Sequence, residues 1–197
     1  SIGVTVAACV CFAISTPACV VAAVVLINLW LVLDCVDGNI ARCRRRPTVY
    51  GEFVDDIGGY YTVAFIYLAV ALCAYNTGGV LFGAQNKWVL VMGALASICD
   101  VLARLINKDY VNFSKNRPDY REEDYKTESK KSLSYIRRRV GKELGISGLF
   151  MPFAIVCAIF GAFDVMALFY LVFNGFALLS TTALYIYKAD KFDRKSD

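Results

Sequence analysis

The residues best able to do chemistry are the aspartates between Asp34 and Asp56. That stretch reads Asp-Cys-Val-Asp-Gly-Asn-Ile-Ala-Arg, then eight residues, then Gly-Glu-Phe-Val-Asp-Asp. On a helix advancing about 100° per residue, with Asp34 at zero, Asp37 falls at about 300°, Gly38 at about 40° and Ala41 at about 340°. Two carboxylates and two small residues therefore share one stripe, and Asp55 arrives from the next helix. Apolar sequence on both sides puts these acids at the edge of a membrane, where three converging carboxylates repel one another unless a cation holds them together. Oxygen-only ligation suits a hard divalent ion, Mg2+ or Mn2+, which commonly keeps positions open for water or substrate phosphates. Gly38 and Ala41 leave room for a ligand to lie against the helix backbone.

The pattern resembles the signature of the CDP-alcohol phosphotransferase family, Asp-x2-Asp-Gly-x2-Ala-Arg-x8-Gly-x3-Asp-x3-Asp. Asp34, Asp37, Gly38, Ala41, Arg42, Gly51 and Asp55 match it in type and spacing, a far more specific signal than a lone glycine-rich loop. The last position differs, because Gly59 stands where the family has its fourth aspartate. The resemblance implies a homodimeric membrane enzyme that moves a substituted phosphate from a CDP-linked donor to the hydroxyl of a lipid or small-alcohol acceptor. CMP is released, and the product belongs to phospholipid, glycolipid or glycan biosynthesis. It further implies Mg2+ (or Mn2+) ligated by Asp34, Asp37 and Asp55. The nucleotide is then seated along Asp37, Gly38 and Ala41, with Arg42 pairing with an aspartate or a donor phosphate.

In that family the fourth aspartate is both ligand and base, so Gly59 moves the base elsewhere. Asp100, arriving from another helix at similar depth, is the preferred substitute, with Asp56, about 100° around the helix from Asp55, second. Glu52 shares the face but lies about 10 Å from position 59 along the axis, towards the cytoplasm. An acceptor that is already ionised needs no base.

These residues have to be positioned by membrane helices. The chain is 58% hydrophobic, against about 45 to 50% for ordinary soluble proteins, with a positive mean hydropathy. Six apolar segments can be drawn, at residues 2–15, 18–40, 58–75, 88–106, 146–163 and 165–187, most of them long enough to span. We therefore expect an all-α polytopic membrane protein: one domain over residues 1–197 with six transmembrane helices, its motif at 34–59 and a charged loop at 107–145. The first segment is short and the chain begins at Ser1, which leads us to expect further residues upstream. It does not read as a signal peptide, having no basic stretch before it and another span directly after.

Orientation follows from the basic residues. Of 21 Lys and Arg, only Lys87 lies on the face opposite Arg42, so Arg42, the motif and both termini are expected on the cytoplasmic side of the cell or inner membrane. Arg44 to Arg46 read as topogenic charge meeting anionic lipid headgroups. Gly51 is expected to let its helix approach the Asp34 helix closely. Asp100 and Arg104, four apart, read either as functional or as a self-neutralising pair. From Lys108 to Gly145 the chain turns polar and reads as a solvated loop with lipid-facing arginines or, after Pro118, as a short interfacial helix, in which case Arg137 to Lys142 would guide an anionic group to the metal. Asn28 and Asn174 are expected to bond between helices.

The eight cysteines include no Cys-x2-Cys pair and read as packing residues, and no histidine is available as base or zinc ligand. Nucleic acid is not an expected partner. Two rivals differ in class: a catalytically silent homologue that binds CDP-alcohol or lipid, suggested by Gly59, and a cation transporter, which would not require the Gly-x2-Ala-Arg spacing.

Overall fold

The computed structural model describes residues 2–43, 49–115, 143–146 and 148–196, with side chains at 2–36, 50–51, 53–113, 143–146 and 148–190. Among the described residues the chain is all-helical, in six helices: α1 (Ile2–Ile14), α2 (Pro17–Cys43), α3 (Val49–Thr77), α4 (Lys87–Lys115), α5 (Phe150–Phe160) and α6 (Phe163–Ser196). Four are long and apolar enough to cross a membrane, over Pro17–Val36, Phe53–Thr77, Lys87–Phe113 and Phe163–Asp190. The other two, α1 and α5, are shorter apolar helices.

The segment read as 146–163 is helical only over Phe150–Phe160. Before it, the backbone turns: Gly148 N–H donates to the Gly145 carbonyl at 3.1 Å and Leu149 N–H to that of Glu143 at 2.8 Å. After it, Gly161 takes the left-handed conformation at φ 64° and caps the Cys157 carbonyl. Glycine adopts this without a Cβ penalty, so α5 and α6 fold back on each other through two residues.

Helix α3 is the centre of the bundle, packing against α1, α4 and α6. Its inward stripe of Val63, Ile66, Tyr67, Val70 and Ala74 is buried. Tyr67 meets Phe150 and Tyr170 with ring centroids 5.8 and 5.1 Å apart, which locks α3 to α5 and α6. At Gly93 of α4 the two helices approach closely, and a Cβ there would lie 2.3 Å from that of Ala71. By contrast, Val21, Val25 and Val32 on α2 and Val172, Phe176 and Leu179 on α6 point outward and are exposed. On helices of this length, that apolar outer surface is what a lipid environment selects.

Some polar side chains inside the bundle are satisfied across helices. Thr62 donates to the Gly58 carbonyl at 2.9 Å, so its oxygen is left to accept from Thr5, 3.1 Å away on α1. Asn174 reaches from α6 to the Ala96 carbonyl of α4 at 3.1 Å, as expected for an intramembrane amide. Asn28 differs, donating within its own helix to the Val24 carbonyl at 2.8 Å.

At the end of the bundle away from Asp34, Asp164 opens α6 fully buried. Its carboxylate accepts the backbone N–H groups of Val80, Leu81 and Phe82 at 3.1, 2.6 and 2.9 Å, and that of Val165 at 2.9 Å. A side chain at Gly79 would collide with it, a Cβ there lying 2.1 Å from the carboxyl carbon. Asp164 thus clamps the α3–α4 connection onto α6, a role the sequence reading missed although Asp164 is the lone acid at the short α5–α6 junction. Asp164→Ala strands three loop donors and is expected to cost about 3 kcal/mol. Thermal unfolding in detergent should show a lower midpoint with CMP binding unchanged, and an unaltered midpoint would mean that the loop is held otherwise.

Candidate active site

Asp34 lies in the second half of α2, and Asp55 and Asp56 in the first turns of α3. Helix α1 packs against both α2 and α3. Beside it, α2, α3 and α4 surround an open cavity of about 570 Å3 at one end of the bundle. Trp30 and Asp34 line it from α2; Asp55, Asp56, Gly59, Tyr60 and Thr62 from α3; Arg104, Asn107 and Lys108 from α4; and Ile146 also reaches it. Two helices thus bring the described motif acids Asp34 and Asp55 to one cavity, which a third helix walls with cations.

Asp37, Gly38, Ala41 and Arg42 lie on α2 within two turns and a residue of Asp34, but their side chains fall outside the described residues. The same holds for Glu52, and the arginine runs at 44–46 and 137–139 lie wholly outside. Among the described residues no three His, Cys, Asp or Glu side chains are gathered as a metal cluster. Asp34 and Asp55 nonetheless offer oxygen donors only, in one polar cavity, and a hard divalent cation fits that donor set.

The two candidate bases are placed differently. Asp56 lines the cavity and accepts from Lys108 Nζ at 2.9 Å through Oδ2. The Lys108 ammonium also sits 5.5 Å above the Tyr60 ring. Asp100 is absent from the cavity wall. Its Oδ1 accepts from Arg104 Nε at 3.0 Å and its Oδ2 from the Tyr67 hydroxyl at 3.1 Å, so both oxygens are engaged. The pair expected from the i, i+4 spacing therefore forms, and it is Arg104 that faces the cavity.

Helix α4 also continues to Lys115, where the sequence reading turned into a loop at Lys108. The reason is packing beyond the apolar span: Tyr110 stacks on Tyr185 of α6 at 4.5 Å, and the Tyr185 hydroxyl bonds Asn107 Oδ1. Lys108 is therefore a helical residue one turn beyond Arg104 rather than the first residue of a loop. Continuing the Asp100, Arg104 spacing by another four residues would have found it. Trp30 is a further cavity residue that went unnoticed. It lies four residues before Asp34, one turn deeper on the same face of α2.

A family model described as CDP-alcohol phosphatidyltransferase matches residues 2–130, which takes in α1 to α4 and the whole cavity motif. No curated protein and no solved structure matches the chain.

Proposed function

Because the chain belongs to the CDP-alcohol phosphatidyltransferase family, a family of transferases, we propose that it moves a substituted phosphate from a CDP-alcohol to an acceptor hydroxyl and releases CMP. The observation that carries the reading is the shared cavity of Asp34 and Asp55, which Arg104 and Lys108 of α4 also line. In the proposed reaction the acceptor oxygen attacks the phosphorus that bears the alcohol. A new P–O bond forms, the bond to the bridging oxygen breaks, and that oxygen leaves with CMP. A divalent cation held by Asp34, Asp37 and Asp55 would supply stabilisation for the charge that develops on the leaving phosphate. Gly38, Ala41 and Arg42 seat the nucleotide on α2.

We place the acceptor's proton on Asp56, reversing the order expected from the sequence. What supports the reversal is that Asp56 lines the cavity and Asp100 does not. Lys108 takes only Oδ2 of Asp56, and Oδ1 has no partner among the described residues. Asp56→Asn is expected to lower turnover by about a hundredfold, the lower range for loss of a general base, with CMP affinity kept. Asp100→Asn should cost about tenfold or less, acting through Arg104. A larger loss in Asp100→Asn than in Asp56→Asn, at saturating donor and acceptor, would return the base to Asp100.

The membrane arrangement is part of the proposal. With α1 and α5 added to the four long helices the bundle has six spans, and the cavity and both chain ends lie on one side. Arg104, Lys108 and Lys188 lie at the cavity end and Lys87 at the other, which supports a cytoplasmic cavity. The homodimer is carried by the family resemblance alone. The deciding experiment incubates the purified protein with Mg2+ and a panel of CDP-alcohols, measures CMP, and identifies the product by mass spectrometry. Binding of CDP-alcohols without CMP release would instead favour the silent homologue, a reading supported by Gly59 on the cavity wall.

A further inference from the structure

The end of the bundle away from the cavity presents almost no charge. Residues 1–33, 57–86 and 146–187 contain one charged side chain, Asp164, and it is fully buried, so among the described residues Lys87 at the head of α4 is the sole exposed charge there. What the connections expose instead is apolar: Val80 (67%) and Leu81 (56%) between α3 and α4, and Ile159 and Phe160 (72% each) at the turn from α5 to α6. The backbone that carries Val80 and Leu81 draws its partners from the protein. Its N–H groups from Gly78 to Phe82 are taken in succession by the Ala74 carbonyl, the Phe82 carbonyl and, for the last three, the Asp164 carboxylate. Asn76 turns its amide onto the Ala13 carbonyl and Ser15 Oγ, and the Thr77 hydroxyl donates to the Cys73 carbonyl. Water would satisfy such groups unaided, whereas in lipid each has to be satisfied within the fold.

Length points the same way. The outward apolar stripe of α2, from Val21 to Val36, rises about 22 Å, and that of α4, from Trp88 to Leu105, about 25 Å, both short of a hydrocarbon layer about 30 Å thick. Apolar connections make up the difference. We propose that the connections opposite the cavity lie within that leaflet, beneath its phosphates, with Val80, Leu81, Ile159 and Phe160 against the upper carbons of the acyl chains. Lys87 then extends its stem outward to the phosphates, and Trp88 beside it takes the interfacial place in which indoles are enriched. The partner is lipid rather than protein, because a protein interface is rimmed by polar residues, while this surface runs on into the outward faces of α2, α4 and α6 with Lys87 as its only charge among the described residues. The placement is independent of the transferase reading, since none of these residues lines the cavity.

The test reads where single indoles sit. The chain has two tryptophans, so Trp30→Phe with Trp88→Phe removes both. Leu81→Trp or Phe160→Trp in that background then puts one indole on either connection. Each variant is reconstituted at one copy per phosphatidylcholine nanodisc, the lipid being brominated near the headgroup end or near the methyl end of its acyl chains, with iodide as the quencher in water. Bromine quenches an indole only by contact. Both reporters should lose most of their emission to headgroup-end bromines, less to methyl-end bromines and little to iodide. If either variant fails to fold, Trp30→Phe alone leaves the native Trp88 as reporter, and it should lose emission to the brominated lipid in the same way. The proposal is overturned if iodide quenches the reporters as freely as it quenches N-acetyltryptophanamide, because water then covers the connections. Protection from iodide with no loss to brominated lipid overturns it as well, and means that protein covers them. Loss chiefly to methyl-end bromines overturns it a third way, by putting the connections deep in the hydrocarbon.

Discussion

Asp34→Asn and Asp55→Asn are each expected to lower Mg2+-dependent CMP release by more than about a hundredfold, and Asp37→Asn to do the same. Even partners behind a metal ligand are worth about 10- to 100-fold when lost, and these three are the proposed ligands themselves. Each exchange keeps the volume and removes the charge that balances the cation. Folding should survive, because Asp34 is only partly buried and Asp55 is exposed on the cavity wall. The effect is separable from damage to the fold. Mg2+ should raise the thermal midpoint of the native protein, as any ligand of the folded state does, and the rise should shrink or vanish in the three variants. Activity and Mg2+ stabilisation persisting together in all three would place the cation elsewhere.

How the aspartates would be read was legible because their chemistry depends on spacing along the chain. Asp34 and Asp55 fall where helical periodicity and the motif put them, and the apolar segments predicted the four long helices. What was not legible depends on which helices meet. Asp100 and Arg104 were read as four apart on one face, either functional or a self-neutralising pair; the pair forms, and nothing in that spacing says which partner turns to the cavity. Tyr67 decides it by taking the second oxygen of Asp100 from α3, thirty-three positions away. The length of α4 was misjudged for a similar reason, since Asn107 and Tyr110 are held by Tyr185 of α6. Asp164 escaped notice because its partners are backbone N–H groups, which no residue pattern announces. Hydropathy alone also overextended α5, whose ends are set by turns at Gly145 to Gly148 and at Gly161.

The departure at Gly59 can be tested by putting the carboxylate back. Gly59 lines the cavity, and a Cβ built on it meets no atom within 4 Å, so the wall has room for an aspartate. The new acid would lie four residues after Asp55 and three after Asp56, on the same side of α3. Like charges at such spacings repel, so in chelator Gly59→Asp should unfold at a lower temperature than the native protein. A cation shared with Asp34 and Asp55 reverses that sign, and in Mg2+ the variant should gain more stability than the native chain does. Its catalytic consequence is clearest in the Asp56→Asn background, where the proposed base is gone. There Gly59→Asp is expected to recover about a hundredfold in turnover, the lower range of what a positioned general base contributes. In the otherwise native chain the gain should be smaller, because Asp56 is already present. The measurement is CMP release at saturating donor and acceptor, with and without Gly59→Asp. If the added Mg2+ stabilisation appears but turnover does not recover, the carboxylate has reached the cation without reaching the acceptor's proton. If instead Asp56→Asn alone leaves turnover unchanged, the acceptor attacks through an oxygen already ionised, and Asp56 loses its role as base.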